Sequence, residues 1–141
     1  MDAKEFFYEF GRALYQIDGY YNEFAKKCKV KAKLLWVLYA LNDGKKHTQK
    51  EISTTWELPR TTVNTVVKEL EESGYVVLSP IKGEKREMLV SLTESGKQYA
   101  REKLSDLYKI EQNAFDNMDN ETKKVIQNLE NILKELNQGM K

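Results

Sequence analysis

Residues 47–93 change their hydrophobic period in a way that few folds accommodate. A short helical stretch (residues 48–56) meets a tight turn at Glu57-Leu58-Pro59, and a second helical stretch runs over residues 60–72 until Gly74 stops it. In that second stretch Val63, Val66, Val67 and Leu70 recur at helical spacing and are expected to face a core. Arg60, Thr61, Asn64, Thr65 and Lys68 fall on the opposite face, a short polar surface of side chains that bond phosphates or base edges. Glu69, Glu71 and Glu72 crowd the last turn, where acids oppose the helix dipole, so local stability does not explain them.

Two β-patterned runs follow, residues 75–81 and 88–92, joined by Lys82-Gly83-Glu84-Lys85-Arg86. Val76, Leu78, Met88, Val90 and Leu92 can alternate onto one buried side. The joining loop sets Lys82, Lys85 and Arg86 around a turn-forming glycine. A basic loop alone is commonly just a solvated loop, and an amphipathic helix alone just a helix with a wet face. In this order they make the layout of a winged helix-turn-helix, in which the second helix enters a DNA major groove and the hairpin tip probes the minor groove.

The ordered motifs carry a resemblance. Thr48-Gln49-Lys50-Glu51-Ile52, Arg60-Thr61-Thr62-Val63-Asn64, Leu70-Glu71-Glu72-Ser73-Gly74-Tyr75-Val76, and Glu84-Lys85-Arg86 leading to Leu92-Thr93-Glu94-Ser95-Gly96 resemble the MarR family of bacterial transcription regulators. The similarity reaches both ends of the chain. It implies a homodimeric, cytoplasmic regulator, a repressor relieved by a small ligand, on a pseudo-palindromic operator. The DNA contacts it implies are Thr48, Gln49, Arg60, Thr61, Thr62, Asn64, Thr65, Lys68, Lys82, Lys85 and Arg86. It also implies a pocket for a small aromatic or amphipathic ligand, with Tyr15, Tyr20, Trp36 and Tyr39 as candidate walls. Two positions depart from the family pattern. Glu84 stands where the wing motif usually has Asp, one methylene shorter, to brace an arginine. Pro59 stands where a serine commonly caps the recognition helix, so Thr61 or Thr62 is expected to compensate, or the helix starts more loosely.

The 141 residues suit a single domain with a real core, mainly α with a small β-hairpin wing. The expected division is an N-terminal dimerisation helix and basic junction (1–31), the winged helix-turn-helix (32–96) and C-terminal dimerisation helices (97–141), integrated as one domain. Phe6, Phe7, Phe10, Leu14, Ile17, Tyr20, Tyr21 and Phe24 recur at helical spacing over residues 3–25. Core packing accounts for any one of them, but the stripe as a whole points to a dimer interface. Residues 32–41 are apolar on most sides and should be central. After the wing, a long helix is expected over residues 93–117. Asp119 is expected to cap a last helix carrying Val125, Ile126, Leu129, Ile132, Leu133 and Leu136. First and last helices are expected to come together as an all-helical dimer base.

The formal charge of +1 says little, but its distribution says more: residues 26–50 carry +7 and residues 1–25 carry −3. Phosphate fields act locally, over a screening length of roughly 8–10 Å, so a polarised surface suffices for DNA. The lysines of residues 26–33 either reach phosphates or line a solvated loop. Among them Cys28 has ammonium neighbours that favour its thiolate. Oxidant-sensing relatives carry theirs within an aromatic-rich first helix, which this placement does not match. His47, the only histidine, has no metal-ligand cluster beside it in sequence and is expected to hold a turn or titrate near neutral pH. A lone cysteine excludes an internal disulfide and fits a reducing cytoplasm. No apolar run is long enough for a bilayer and no signal-peptide pattern opens the chain, so no membrane partner is expected. No cofactor or enzyme activity is expected either: there is no Gly-rich phosphate loop, and no His lies near a plausible nucleophile. A protein–protein adaptor built on the same winged helix remains the other reading.

Overall fold

Asp2 accepts a hydrogen bond from the Glu5 amide at 2.8 Å and so starts α1 (Ala3–Lys27), two residues longer than the apolar stripe suggests. The helix ends in a left-handed residue, Lys29 (φ 59°), with Val30 N donating to Ala25 O at 3.1 Å. Helix α2 (Ala32–Leu41) buries Leu35, Val37, Leu38, Ala40 and Leu41, as its nearly all-apolar sequence requires. The computed structural model describes all residues, 1–141, which form two compact units, residues 1–105 and 106–141.

In the first unit, α2 is followed by a turn and a two-residue strand, β1 (His47–Thr48), that periodicity cannot reveal. Thr48 then caps α3 (Gln49–Trp56), accepting from the Glu51 amide at 3.0 Å. Helix α4 spans Arg60–Glu72, the bounds expected from Pro59 and Gly74. Gly74 (φ 78°) takes the left-handed position after α4, which lets Tyr75 N reach Leu70 O at 2.8 Å and turns the chain into the sheet.

Strands β2 (Val76–Pro80) and β3 (Met88–Leu92) pair antiparallel, Leu78 opposite Val90 and Pro80 opposite Met88. β1 pairs with the other side of β3, His47 opposite Val90, so the sheet has three strands in the order β1-β3-β2. Pro80, which cannot donate to a ladder, sits on an edge strand, where it is tolerated. Val76 and Val90 are buried and Leu78 and Leu92 half-buried, as the alternation predicts. Met88 is the exception: nearest the tip, it is exposed.

Helix α5 (Glu94–Asp116) begins at Thr93, whose hydroxyl accepts from Gly96 N at 3.0 Å and donates to Gly74 O at 2.7 Å. The second unit does not hold the single last helix expected. Asp119 does cap a helix, accepting from Thr122 N at 2.7 Å, but that helix is the short α6 (Asn120–Lys123). After Lys124 the chain restarts as α7 (Val125–Gly139), a strongly amphipathic helix with no buried residue. No helix of the protein is long and apolar enough to cross a membrane.

Candidate nucleic-acid interface

The turn between α3 and α4 is fixed from inside. Ser53 Oγ donates to Leu58 O at 2.6 Å, Leu58 N donates back to Ser53 O at 3.0 Å, and Leu58 itself is buried. Glu57 takes the left-handed conformation (φ 49°) that closes α3. Val63, Val66, Val67 and Leu70 then seat α4 against the core, all 5% exposed or less. Burying side chains of this size stabilises by ~1.5–3 kcal/mol each, enough to fix which face of α4 looks outward.

That outward face is the polar one. Arg60, Thr61, Asn64, Thr65 and Lys68 are exposed, while Thr62 lies half-buried at the margin. The Thr65 hydroxyl donates to Thr61 O at 2.9 Å, so its donor is already in use. Neither Thr61 nor Thr62 replaces the missing serine cap: Pro59 occupies the cap position and no side chain bonds the first turn. The amides of Arg60, Thr61 and Thr62 therefore remain open donors at the positive end of the helix dipole. Thr48 and Gln49 are half-buried at the start of α3, and the Thr48 hydroxyl is engaged as the cap.

At the hairpin tip Lys82, Lys85 and Arg86 are all exposed around Gly83, whose φ of 87° needs a residue without a side chain. Glu84 does not brace Arg86; its amide instead donates to Ile81 O at 3.0 Å, closing the turn. The acid of the wing that engages an arginine is Glu87, and its partner is Arg60 at the start of α4, at 3.0 Å. This pair brings the tip of the wing beside the N-terminal turn of α4. The two polar, mostly cationic surfaces that the sequence singled out are thereby neighbours, with the acids of the last turn of α4 at the far end of the helix. One of those acids does have a partner: Lys31 Nζ lies 3.8 Å from Glu69, a largely exposed pair that contributes little.

His47 holds a turn, one of the two roles expected of it. It is flanked by two carboxylates, Asp43 at 2.7 Å from Nε2 and Glu51 at 3.1 Å from Nδ1. They occupy opposite ring nitrogens, so they tie the turn after α2 to the first turn of α3 rather than converge on one point. Of the aromatics expected to line a pocket, Trp36 and Tyr39 join Tyr21 and Trp56 in one ring cluster. Trp36 lies 4.9 Å from Tyr21, 5.5 Å from Trp56 and 5.6 Å from Tyr39 between centroids. Tyr20 touches that cluster's edge through Tyr21 at 5.8 Å, and Tyr15 is 79% exposed. Cys28 is half-buried, its thiol donating to Lys103 O at 3.6 Å.

Sequence reading missed Glu87 and Trp56. Glu87 offered one signal, a lone acid just after a basic tip. Trp56 offered another, a large apolar residue at the end of a polar helix.

Comparison with known proteins agrees with this fold. The model of the MarR family matches residues 35–87, from α2 to the tip of the wing. The HTH-type transcriptional regulator SarZ of Staphylococcus epidermidis is 30% identical over 97 residues, 69% of this chain. The matched stretch spans 65% of the length of SarZ. A MarR family regulator from Neisseria meningitidis superposes with a TM-score of 0.84 at 24% identity, over 99% of this chain and 97% of that one. AbfR of Staphylococcus epidermidis follows at 0.73 and 23%, over 96% and 93% of the two chains. Its reduced form bound to DNA matches at 0.64 and 24%, over 95% and 92%. Residues 35–87, which hold helix, turn, helix and the wing tip, are thus a MarR-family winged helix-turn-helix, and the chain as a whole has the fold of these solved structures.

Proposed function

We propose that this protein is a homodimeric transcription regulator that binds a pseudo-palindromic DNA operator and represses until a small ligand releases it. The observation that carries the reading is the Arg60–Glu87 pair, which sets the exposed face of α4 and the basic wing tip side by side. Asn64, Thr61 and Thr65 read base edges in the major groove, Arg60 and Lys68 divide between bases and phosphates, and Lys82, Lys85 and Arg86 enter the minor groove. The uncapped amides at the start of α4 add a phosphate site, as helix N-termini do. Thr48, Gln49 and Thr62 border the same surface. That AbfR is bound to DNA, and that MepR of S. aureus has a DNA-binding conformation, support the same partner here.

Pairing comes from the apolar stripes left open on single chains. Phe6, Phe7, Leu14, Ile17 and Tyr20 of α1 are 42–61% exposed, and Val125, Ile126, Leu133 and Leu136 of α7 are 45–62% exposed. Two-fold pairing sets the recognition helices about 34–36 Å apart, in successive major grooves. The inducing ligand is a small aromatic or amphipathic molecule, with Trp36 and Tyr39 of the ring cluster and Tyr15 and Tyr20 of α1 as walls. It lowers DNA affinity by linkage, through preference for a separation of the readers that DNA does not accept.

A fluorescence-anisotropy titration of operator DNA and random duplex at two salt concentrations tests this. Affinity is expected to fall steeply with salt, and Arg86→Ala to weaken both duplexes alike. Asn64→Ala is expected to cost about 1–3 kcal/mol on the operator only, by relaxing one base position. Salt-independent binding, or equal losses on both duplexes for both variants, refutes the assignment.

A further inference from the structure

A second cationic surface lies away from the hairpin tip. Three segments remote in sequence meet there: the turn after α2, the base end of β3 and the first turns of α5. They enclose a cleft of about 450 Å³. Lys45 and Lys46 stand on one side, Lys97 and Arg101 on the other, and Leu41 and Leu92 form an apolar wall. No acid lines it. Met88 to Leu92 is four residues of strand, so the cleft is about 13 Å along β3 from where the wing tip begins, at roughly 3.3 Å per residue.

Fold stability does not account for these charges. Lys97 and Arg101 are like charges one helical turn apart, an arrangement that costs a helix a few tenths of a kcal/mol. Lys97 also stands in the first turn of α5, where a cation opposes the dipole. The one relief is an ion pair from Lys97 to Glu94 at 3.2 Å, and Glu94 is 90% exposed, so water screens it. Asp43, the nearest acid in sequence, is already occupied by the Lys45 amide at 2.9 Å and by His47.

We infer that this cleft binds a small organic phosphate. Four cations exceed what one carboxylate can neutralise and suit a phosphate, with the planar fork of Arg101 taking two oxygens and the lysines acting as point charges. The cleft falls within the size of small-molecule sites, roughly 300–1,000 Å³. The half-buried Leu92, backed by the buried Leu41, supplies the surface for the organic part. The loop that takes the phosphate leads directly into His47 and the Thr48 cap of α3, so an occupant touches the root of the reader. The assignment stands independently of the DNA reading.

Isothermal titration calorimetry of the full chain, without DNA, tests it with phenyl phosphate and inorganic phosphate as probes. Phenyl phosphate is expected to bind at one site per chain, several-fold tighter than inorganic phosphate because the ring meets the leucine wall. Lys97→Gln with Arg101→Gln is expected to weaken it at least 10-fold. Lys46→Gln, on an exposed turn, is expected to weaken it in the same direction should the double variant fail to fold. No binding of phenyl phosphate at millimolar concentration, or equal binding by the variants, overturns the site. Equal affinity for the two probes overturns the organic part of the assignment. In a separate arm, the variants are expected to bind duplex DNA within twofold of the wild type. A loss of duplex affinity with a salt slope lower by about two assigns these cations to the DNA backbone instead, and overturns the inference.

Discussion

His47 couples the start of the helix-turn-helix to pH. Its partial burial works against the charged ring, but the hydrogen bonds and charges of Asp43 and Glu51 outweigh that, so its pKa is raised above the ordinary 6.5. A raised pKa in the folded state contributes stability in full below the unfolded value and loses it as pH rises through the folded value. Burial also works against the Asp43 carboxylate, yet the Lys45 amide and His47 hold its pKa below the usual range, so it stays charged throughout. His47→Gln, which keeps hydrogen-bonding capacity but cannot charge, is therefore expected to flatten the dependence. Thermal unfolding from pH 6 to 8.5 should show the wild type losing its advantage over the variant as pH rises. Parallel curves would mean that the ring titrates alike folded and unfolded.

The corner between α4, β2 and α5 leaves no room for a side chain at Gly96. A Cβ on Gly96 would lie 1.8 Å from Tyr75 O, an acceptor that Thr93 N already holds at 3.0 Å. The Tyr75 and Tyr99 rings stack above it at 4.1 Å. Since the obstacle is backbone, it cannot rotate away, and Gly96→Ala should destabilise by about 2–3 kcal/mol, the upper part of the range for overpacking. Chemical denaturation measures this directly; a loss under 0.5 kcal/mol would show that α5 starts more loosely than described. The same joint shows what a sequence can and cannot disclose. Helix α4 is legible because Pro59 and Gly74 bracket four apolar residues at one period, and the hairpin because its alternation survives on both strands. Strand β1 is not, since two residues carry no period. The break at Lys124 is hidden because Asn120–Lys123 holds no apolar residue, so no period marks where one helix ends and the next begins. The exposed face of α4 and the basic tip could be named in advance, but their adjacency could not. It rests on Arg60 and Glu87, 27 residues apart, where no local rule links one to the other.

At the scale of the whole molecule, α7 has the pattern of a buried helix and the exposure of a surface one. It has 15 residues and buries none of them. Isolated helices shorter than about 12–15 residues are marginal in water, so most of its order must come from packing of its apolar face. Leu133 is 58% exposed in a single chain. A charge at such a position usually changes stability by less than about 0.5 kcal/mol, unless another molecule covers it. The proposed pairing reverses that expectation, since Leu133→Asp would place an unpaired charge in an apolar contact. The variant is expected to run as a single chain in sedimentation at micromolar concentration, keep most of its helical signal, and lose at least 10-fold in operator affinity because one reader then binds without its twin. An unchanged assembly would place the pairing surface elsewhere, with the α1 stripe of Phe6, Leu14 and Ile17 as the face to substitute next.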